Sequence, residues 1–249
     1  MIDIGPNEIE RYRADGYLPL GSVVDGAERE ALLAAERRFR AASPFGTSAG
    51  LVVTEQVEHM SAAVRRFCCD GRHVDAVEVL LGPDFALTHN QFIVKLPGTS
   101  SGTSDIPLHQ DNGYGRLEPP DDITVWVALT DTTTENGCLV VAPRSHLGGL
   151  LEHRVATTNP ALREASAVET VPLELAAGEA VAFSGMMLHG SGGNRTAVER
   201  VALFARYCVP HARMMIEAGK AVLEDGHSWM VRGEASLDTW RRGNEAFTG

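Results

Sequence analysis

The sequence predicts a mainly β protein: a double-stranded β-helix, or cupin-like jelly-roll barrel, with its N-terminal helices packed outside. Three observations carry this expectation. Residues 1–83 are rich in strong helix formers at helical spacing. From residue 84 the texture changes to short apolar and β-branched runs separated by Gly, Pro and Asn. No helical segments of about 10–15 residues alternate with these runs, which argues against a parallel α/β sheet.

The elements follow in order. Asn7 and Glu10 have the spacing of an N-cap pair, and Gly16 stops the short helix they would open. Residues 26–41 predict a longer helix, and 60–68 and 72–82 two more, the last ended by Gly82-Pro83. Strands are expected at 85–95, 106–109, 122–130, 138–142, 169–174, 179–184 and 199–208, with Asn136-Gly137 as the strongest hairpin signal. Helical character is expected again in the tail, at 214–223 and 237–242. The chain is therefore expected to form one domain over 1–249: helical support to 83, a jelly-roll core over 84–210, and a helical tail from 211. Two connections stand out, the small-residue loop 98–104 and the long stretch 147–168, whose length suits a lid or binding loop.

Composition narrows the partners. Lys and Arg number 22 against 33 Asp and Glu, a net charge of −11 that argues against nucleic acid or an anionic membrane. Four cysteines, two of them adjacent at Cys68 and Cys69, do not form a disulfide framework and are expected as reduced core thiols. The N-terminus lacks a basic region followed by an apolar one, and no apolar run reaches membrane-spanning length, so a soluble, cytoplasmic protein acting on a small molecule is expected. Oligomeric state is not legible.

The chemistry concentrates in two short segments, Pro107-Leu-His-Gln-Asp111 and Leu188-His-Gly-Ser-Gly-Gly-Asn194. They offer His109, Asp111 and His189. Two imidazoles and a carboxylate form a set that holds ferrous iron on one face and leaves the opposite positions open for oxygen and a co-substrate. On an extended segment, residues i and i+2 share a face, so His109 and Asp111 can chelate one ion. The chain carries its own control in His73-Val74-Asp75. That pair lies in a helical pattern where i and i+2 diverge, so it is expected as solvated surface. Arg200 follows His189 by 11 residues.

These segments, with Asn90-Gln91-Phe-Ile-Val-Lys95, Trp126-Val-Ala-Leu129, Glu135-Asn-Gly-Cys138 and Pro143-Arg-Ser-His146, resemble the phytanoyl-CoA dioxygenase family of Fe(II)/2-oxoglutarate-dependent oxygenases. The resemblance runs from about Arg11 to Cys208. It implies iron on His109, Asp111 and His189, with Arg200 pairing the distal carboxylate of 2-oxoglutarate, as a guanidinium fork does well. It places Ser191, Gln91 and Lys95 along the co-substrate and Trp126 in the pocket wall. It implies a reaction in which O2 and 2-oxoglutarate give succinate and carbon dioxide as a substrate C–H is hydroxylated.

Other readings stay open. Arg200 beside Glu199 also reads as a surface ion pair, Trp126 as core, and Lys95 as a strand end in water. His146 and His153 read as loop residues, since iron already has its second histidine. The family's usual Pro-Gly-Ser-His turn carries Arg144 here, which is expected to alter the loop and not the metal site. Asp111 keeps the carboxylate that halogenating relatives lack. The same cofactors also support ring closure or desaturation in the tailoring of sugar-containing antibiotics, and a metal- or metabolite-binding barrel without turnover is a third reading. Asn112, Tyr114, Arg116 and His153 are the candidate substrate-facing residues, hinting at a hydroxylated or anionic small molecule. No basic cluster marks a coenzyme-A site.

Overall fold

A computed structural model gives the fold and describes residues 2–42, 50–55, 61–98, 104–113, 115–154, 161–162, 168–217, 220–224 and 229–233. Four α-helices form among the described residues: α1 (Pro6–Asp15), α2 (Gly26–Ala42), α3 (Ala62–Asp70) and α4 (Val74–Leu81). The expected Asn7–Glu10 cap is not the one used. Gly5 occupies the N-cap without a side-chain bond, and Pro6 opens the helix with the fixed φ that suits its first turn. Helix α2 carries the capping box instead: Asp25 Oδ1 accepts from the Ala27 and Glu28 N–H groups, and Glu28 Oε2 accepts from the Asp25 N–H.

The large sheet joins β1 (Tyr17–Ser22), β11 (Glu179–Ser184), β6 (Asp122–Ala128), β13 (Arg200–Cys208), β3 (Phe85–Lys95) and β16 (Trp229–Arg232) in that order, with β2 (Leu51–Glu55) also on β3. The small sheet runs β10 (Val171–Leu173), β7 (Leu139–Val141), β12 (His189–Ser191) and β4 (Ile106–His109). All their pairings are antiparallel. This is the expected jelly-roll arrangement, with one qualification: the sheets are separate hydrogen-bonded units, so the barrel is not closed. Asn136-Gly137 joins β6 to β7 across the two sheets and therefore makes no two-residue hairpin. Its Asn136 amide instead ties the turn to the Thr133 N–H and the Asp131 carbonyl.

The tail corrects the helical expectation. Strands β14 (Arg213–Glu217) and β15 (Lys220–Glu224) pair with each other, and β14 also pairs with β5 (Arg116–Glu118), while β16 adds to the large sheet. Non-local pairing overrides the helix propensity of Met214 to Leu223. The expected helix at 237–242 lies outside the described residues, as do parts of the 98–104 and 147–168 connections. Within the latter, β8 (His153–Arg154) pairs β9 (Ala161–Leu162).

Alternation along the strands creates two cores. Ile123, Val125 and Val127 of β6, Val201, Leu203 and Ala205 of β13, and Phe92 and Val94 of β3 pack against Leu32, Phe39, Phe67 and Val77 of the helices. The opposite positions, Trp126, Ala128, Val181, Phe183 and Ala202, face Leu139, Val141 and Leu173 of the small sheet. His73, expected on the surface, is fully buried in the helix-side core. Its Nε2 lies 2.8 Å from the Tyr207 hydroxyl, which donates to the Cys68 carbonyl, and Phe67 covers its ring at 4.4 Å. The helical periodicity around His73 was legible, but which face it occupies is set by α3 and β13. No helix among the described residues is long and apolar enough to cross a membrane.

Candidate metal centre and co-substrate site

Strands β4 and β12 pair with His109 directly opposite His189. The imidazole centroids lie 4.2 Å apart, and Asp111 Oδ1 sits 3.9 Å from His109 Nε2 and 3.5 Å from His189 Nε2. One donor atom from each residue lies within 4.8 Å of the others, a spacing that fits a single ion. One expectation needs correction. His109 ends its strand, and Asp111 opens the 3-10 turn Asp111–Gly113, so the pair does not share one extended segment. The turn still returns the carboxylate to the histidine face.

Each imidazole is oriented the same way. His109 Nδ1 lies 2.8 Å from the Pro107 carbonyl, and His189 Nδ1 lies 3.0 Å from the Met187 carbonyl. A carbonyl only accepts, so both Nδ1 atoms carry the proton and both Nε2 lone pairs face the candidate site. Burial, helped by neighbouring His189, lowers the His109 pKa to about 3, which keeps the ring neutral. At Asp111 burial pushes upward, but His189, Arg206 and His109 together hold the carboxyl well below the usual range. A neutral His109 ring and an ionised Asp111 carboxylate are protonation states that suit a divalent cation.

Thr124 is a candidate site position absent from the sequence reading: its Oγ1 donates to Asp111 Oδ2 at 2.6 Å. The signal was available, because Thr124 lies two residues before Trp126 on β6 and so shares its inward face. Gln110 was also missed. Its amide donates to the Gly149 and Met186 carbonyls and accepts from the Leu151 N–H, tying the start of the long connection to the metal turn. Ser145 performs a related task on the other strand, accepting from the Leu188 N–H beside His189. Arg144 occupies the left-handed region at φ 70, so the turn keeps a glycine-like backbone without glycine.

The co-substrate candidates lie on the inner face beyond the metal ligands. Arg200 is 1% exposed, with its Cζ 5.5 Å from the Trp126 ring centroid, which disposes of the surface ion-pair reading. Glu199 pairs with Arg40 instead. Arg200 Nε and Nη1 are buried with no hydrogen-bond partner, and burial pushes the group's pKa down to about 9. A buried guanidinium with two vacant donors suits a carboxylate ligand. Lys95, opposite Arg200 across the β13–β3 ladder, does not end in water. It is fully buried, and Nζ donates to the carbonyls of Ser104, Ser191 and Gly192. Three acceptors match the three N–H groups of an ammonium, although burial and Arg200 lower its pKa. Ser191 lies in β12 two residues from His189, and Gln91 pairs opposite Phe204.

The three described substrate candidates, Asn112, Arg116 and His153, scatter. Asn112 is buried, donating to Asp122 and accepting from the Leu117 N–H, so it braces the metal turn. Arg116 is exposed and pairs with Glu118 at 2.7 Å. His153 Nε2 accepts from the Gln110 N–H. Tyr114 lies outside the described residues.

Comparison with known proteins agrees with this geometry. A probable phytanoyl-CoA dioxygenase of Caenorhabditis elegans is 34% identical over 146 residues, 54% of this chain and 47% of that protein. The chain spans about half the length of the curated relatives it matches. Among solved structures, the non-heme monooxygenase ThoJ superposes with a TM-score of 0.74 at 26% identity, covering 96% of this chain and 92% of that one. The non-heme alpha ketoglutarate dependent epimerase SnoN, from nogalamycin biosynthesis, gives 0.69 at 26% identity, with 83% of each covered. The profile of the phytanoyl-CoA dioxygenase (PhyH) family matches residues 12–202, and the chain belongs to that family.

Proposed function

We propose that this chain is an Fe(II)- and 2-oxoglutarate-dependent oxygenase that hydroxylates an unactivated C–H of a small polar metabolite or natural-product intermediate. The observation that carries the reading is the buried, partnerless guanidinium of Arg200 on the sheet that covers a ready iron-ligand set. Iron(II) held there would supply activation of O2 coupled to decarboxylation of 2-oxoglutarate to succinate and carbon dioxide. His109 and His189 present Nε2 to the ion, and Asp111 presents Oδ1 while Thr124 holds Oδ2. Arg200 pairs the distal carboxylate, with the Trp126 face limiting its movement. Lys95 draws the Ser104 and Ser191–Gly192 backbones together and closes that end to water.

A second reading keeps these cofactors and ends in rearrangement, such as ring closure or desaturation, rather than hydroxylation. The epimerase description of SnoN, at 26% identity, favours keeping it. A binding barrel without turnover is the weakest, since the three ligands and the arginine are all present.

Anaerobic visible absorption tests the proposal. Adding Fe(II) and then 2-oxoglutarate is expected to raise a weak charge-transfer band that needs both. His109→Ala should abolish it. Arg200→Ala should demand on the order of 100-fold more 2-oxoglutarate, as loss of one partner of a buried charge pair does. Iron binding with no band on adding 2-oxoglutarate would refute the co-substrate assignment.

A further inference from the structure

The cross-strand register of the large sheet places a second arginine beside the metal turn. Arg206 follows Arg200 by six residues on the same face of β13, about 20 Å further along the strand. It stands opposite Thr124 on one side and His89 on the other, and Thr124 in turn stands opposite Phe183. The row His89–Arg206–Thr124–Phe183 runs under the metal ligands: Thr124 bonds Asp111, and the Phe183 ring lies 4.6 Å from His189. The neighbouring row, Gln91–Phe204–Trp126–Val181, leads toward Arg200.

Arg206 is 7% exposed. Its Nε donates to Asp122 Oδ2 at 2.7 Å, so its charge is balanced, yet Nη2 is buried without a hydrogen-bond partner. A neutralised guanidinium with one vacant NH2 group favours a neutral oxygen over a second carboxylate, because Asp122 and Asp111 already supply negative charge. His89, Gln91 and Phe204 are only partly buried on the same face, and the His89 and Phe204 rings lie 5.6 Å apart.

We propose that Arg206, with His89 and Phe204, forms the substrate subsite, donating from Nη2 to a carbonyl or hydroxyl oxygen of a substrate whose apolar body rests on the Phe204 ring. This rests on the oxygenase reading and sharpens it. The substrate then approaches over the β3–β13 half of the sheet, at the opposite end of β13 from Arg200, and not through Asn112 and Arg116.

The test uses three probes of one shape: cyclohexanecarboxamide, cyclohexylmethanol and cyclohexanecarboxylate. Each is titrated anaerobically into the full chain loaded with Fe(II) and 2-oxoglutarate, following perturbation of the visible band. The amide and alcohol are expected to bind at least about tenfold tighter than the carboxylate, the discrimination one buried donor gives. Arg206→Lys, which retains a cation for Asp122, should erase that preference, and His89→Ala should weaken the amide about threefold while keeping it. A carboxylate that binds best, no binding of any probe, or an unchanged preference in Arg206→Lys would overturn the proposal. Absence of the band before any probe is added would count against the oxygenase reading instead, and His89→Ala keeps the subsite testable if Arg206→Lys does not fold.

Discussion

Toward the helices, β6 presents Ile123, Val125 and Val127; toward the small sheet, the alternate positions are Asp122, Thr124 and Trp126. Strand β13 repeats the contrast, with Val201, Leu203 and Ala205 outward and Arg200 and Arg206 inward. Both faces are buried, but they do opposite work. The outer face supplies apolar burial, which is favourable without regard to orientation. The inner face buries Arg200, Arg206, Lys95 and Asp122 at a desolvation cost that only specific partners offset. The stability of one face is what lets the other hold charges for a ligand.

Substitutions should separate the faces. Phe92→Ala on the outer face should cost about 3–5 kcal/mol in chemical denaturation, with iron affinity of the folded protein unchanged; a parallel loss of affinity would break the separation. Acid titration should reveal His73 on the helix side. Its unfolded pKa is about 6.5, and burial lowers the folded value to about 3. Between these values the unfolded state binds the extra proton, so stability falls as pH drops through that window, by at most about 1.4 kcal/mol per pH unit. His73→Leu should remove this component of the slope.

Thr124→Val tests the inner face. It should weaken iron binding by about 10–100-fold, the range for a lost ligand-orienting bond, with folding stability changed by about 1 kcal/mol or less. An effect on stability alone would make Thr124 ordinary core. Arg144→Gly belongs to neither face and should stabilise by about 1 kcal/mol, by relieving the left-handed backbone, with no change in the 2-oxoglutarate titration.

The sequence predicted strands whose own residues alternate strongly. Phe85–Lys95 and Glu179–Ser184 appear with the expected boundaries, and the end of β13 at Cys208 is as expected. It missed strands made by their partners. Tyr17–Ser22 contains Pro19 and Gly21 and bulges as it pairs with β11. His189–Ser191 is a strand because β4 and β7 flank it, not because His-Gly-Ser favours one. The candidate metal ligands stand out in the sequence because their chemistry is rare and local. Thr124, Gln110 and Arg206 do not, since each acquires its role through register with a distant segment.

The backbone carbonyls that fix the two imidazoles have an evolutionary consequence. Each histidine takes its tautomer from a carbonyl two residues earlier in its own segment, Pro107 or Met187. Two tripeptides therefore carry the orientation of both nitrogen ligands wherever the scaffold sets them opposite each other. The His89–Phe204–Arg206 wall can be rewritten for new substrates while the imidazoles stay aimed.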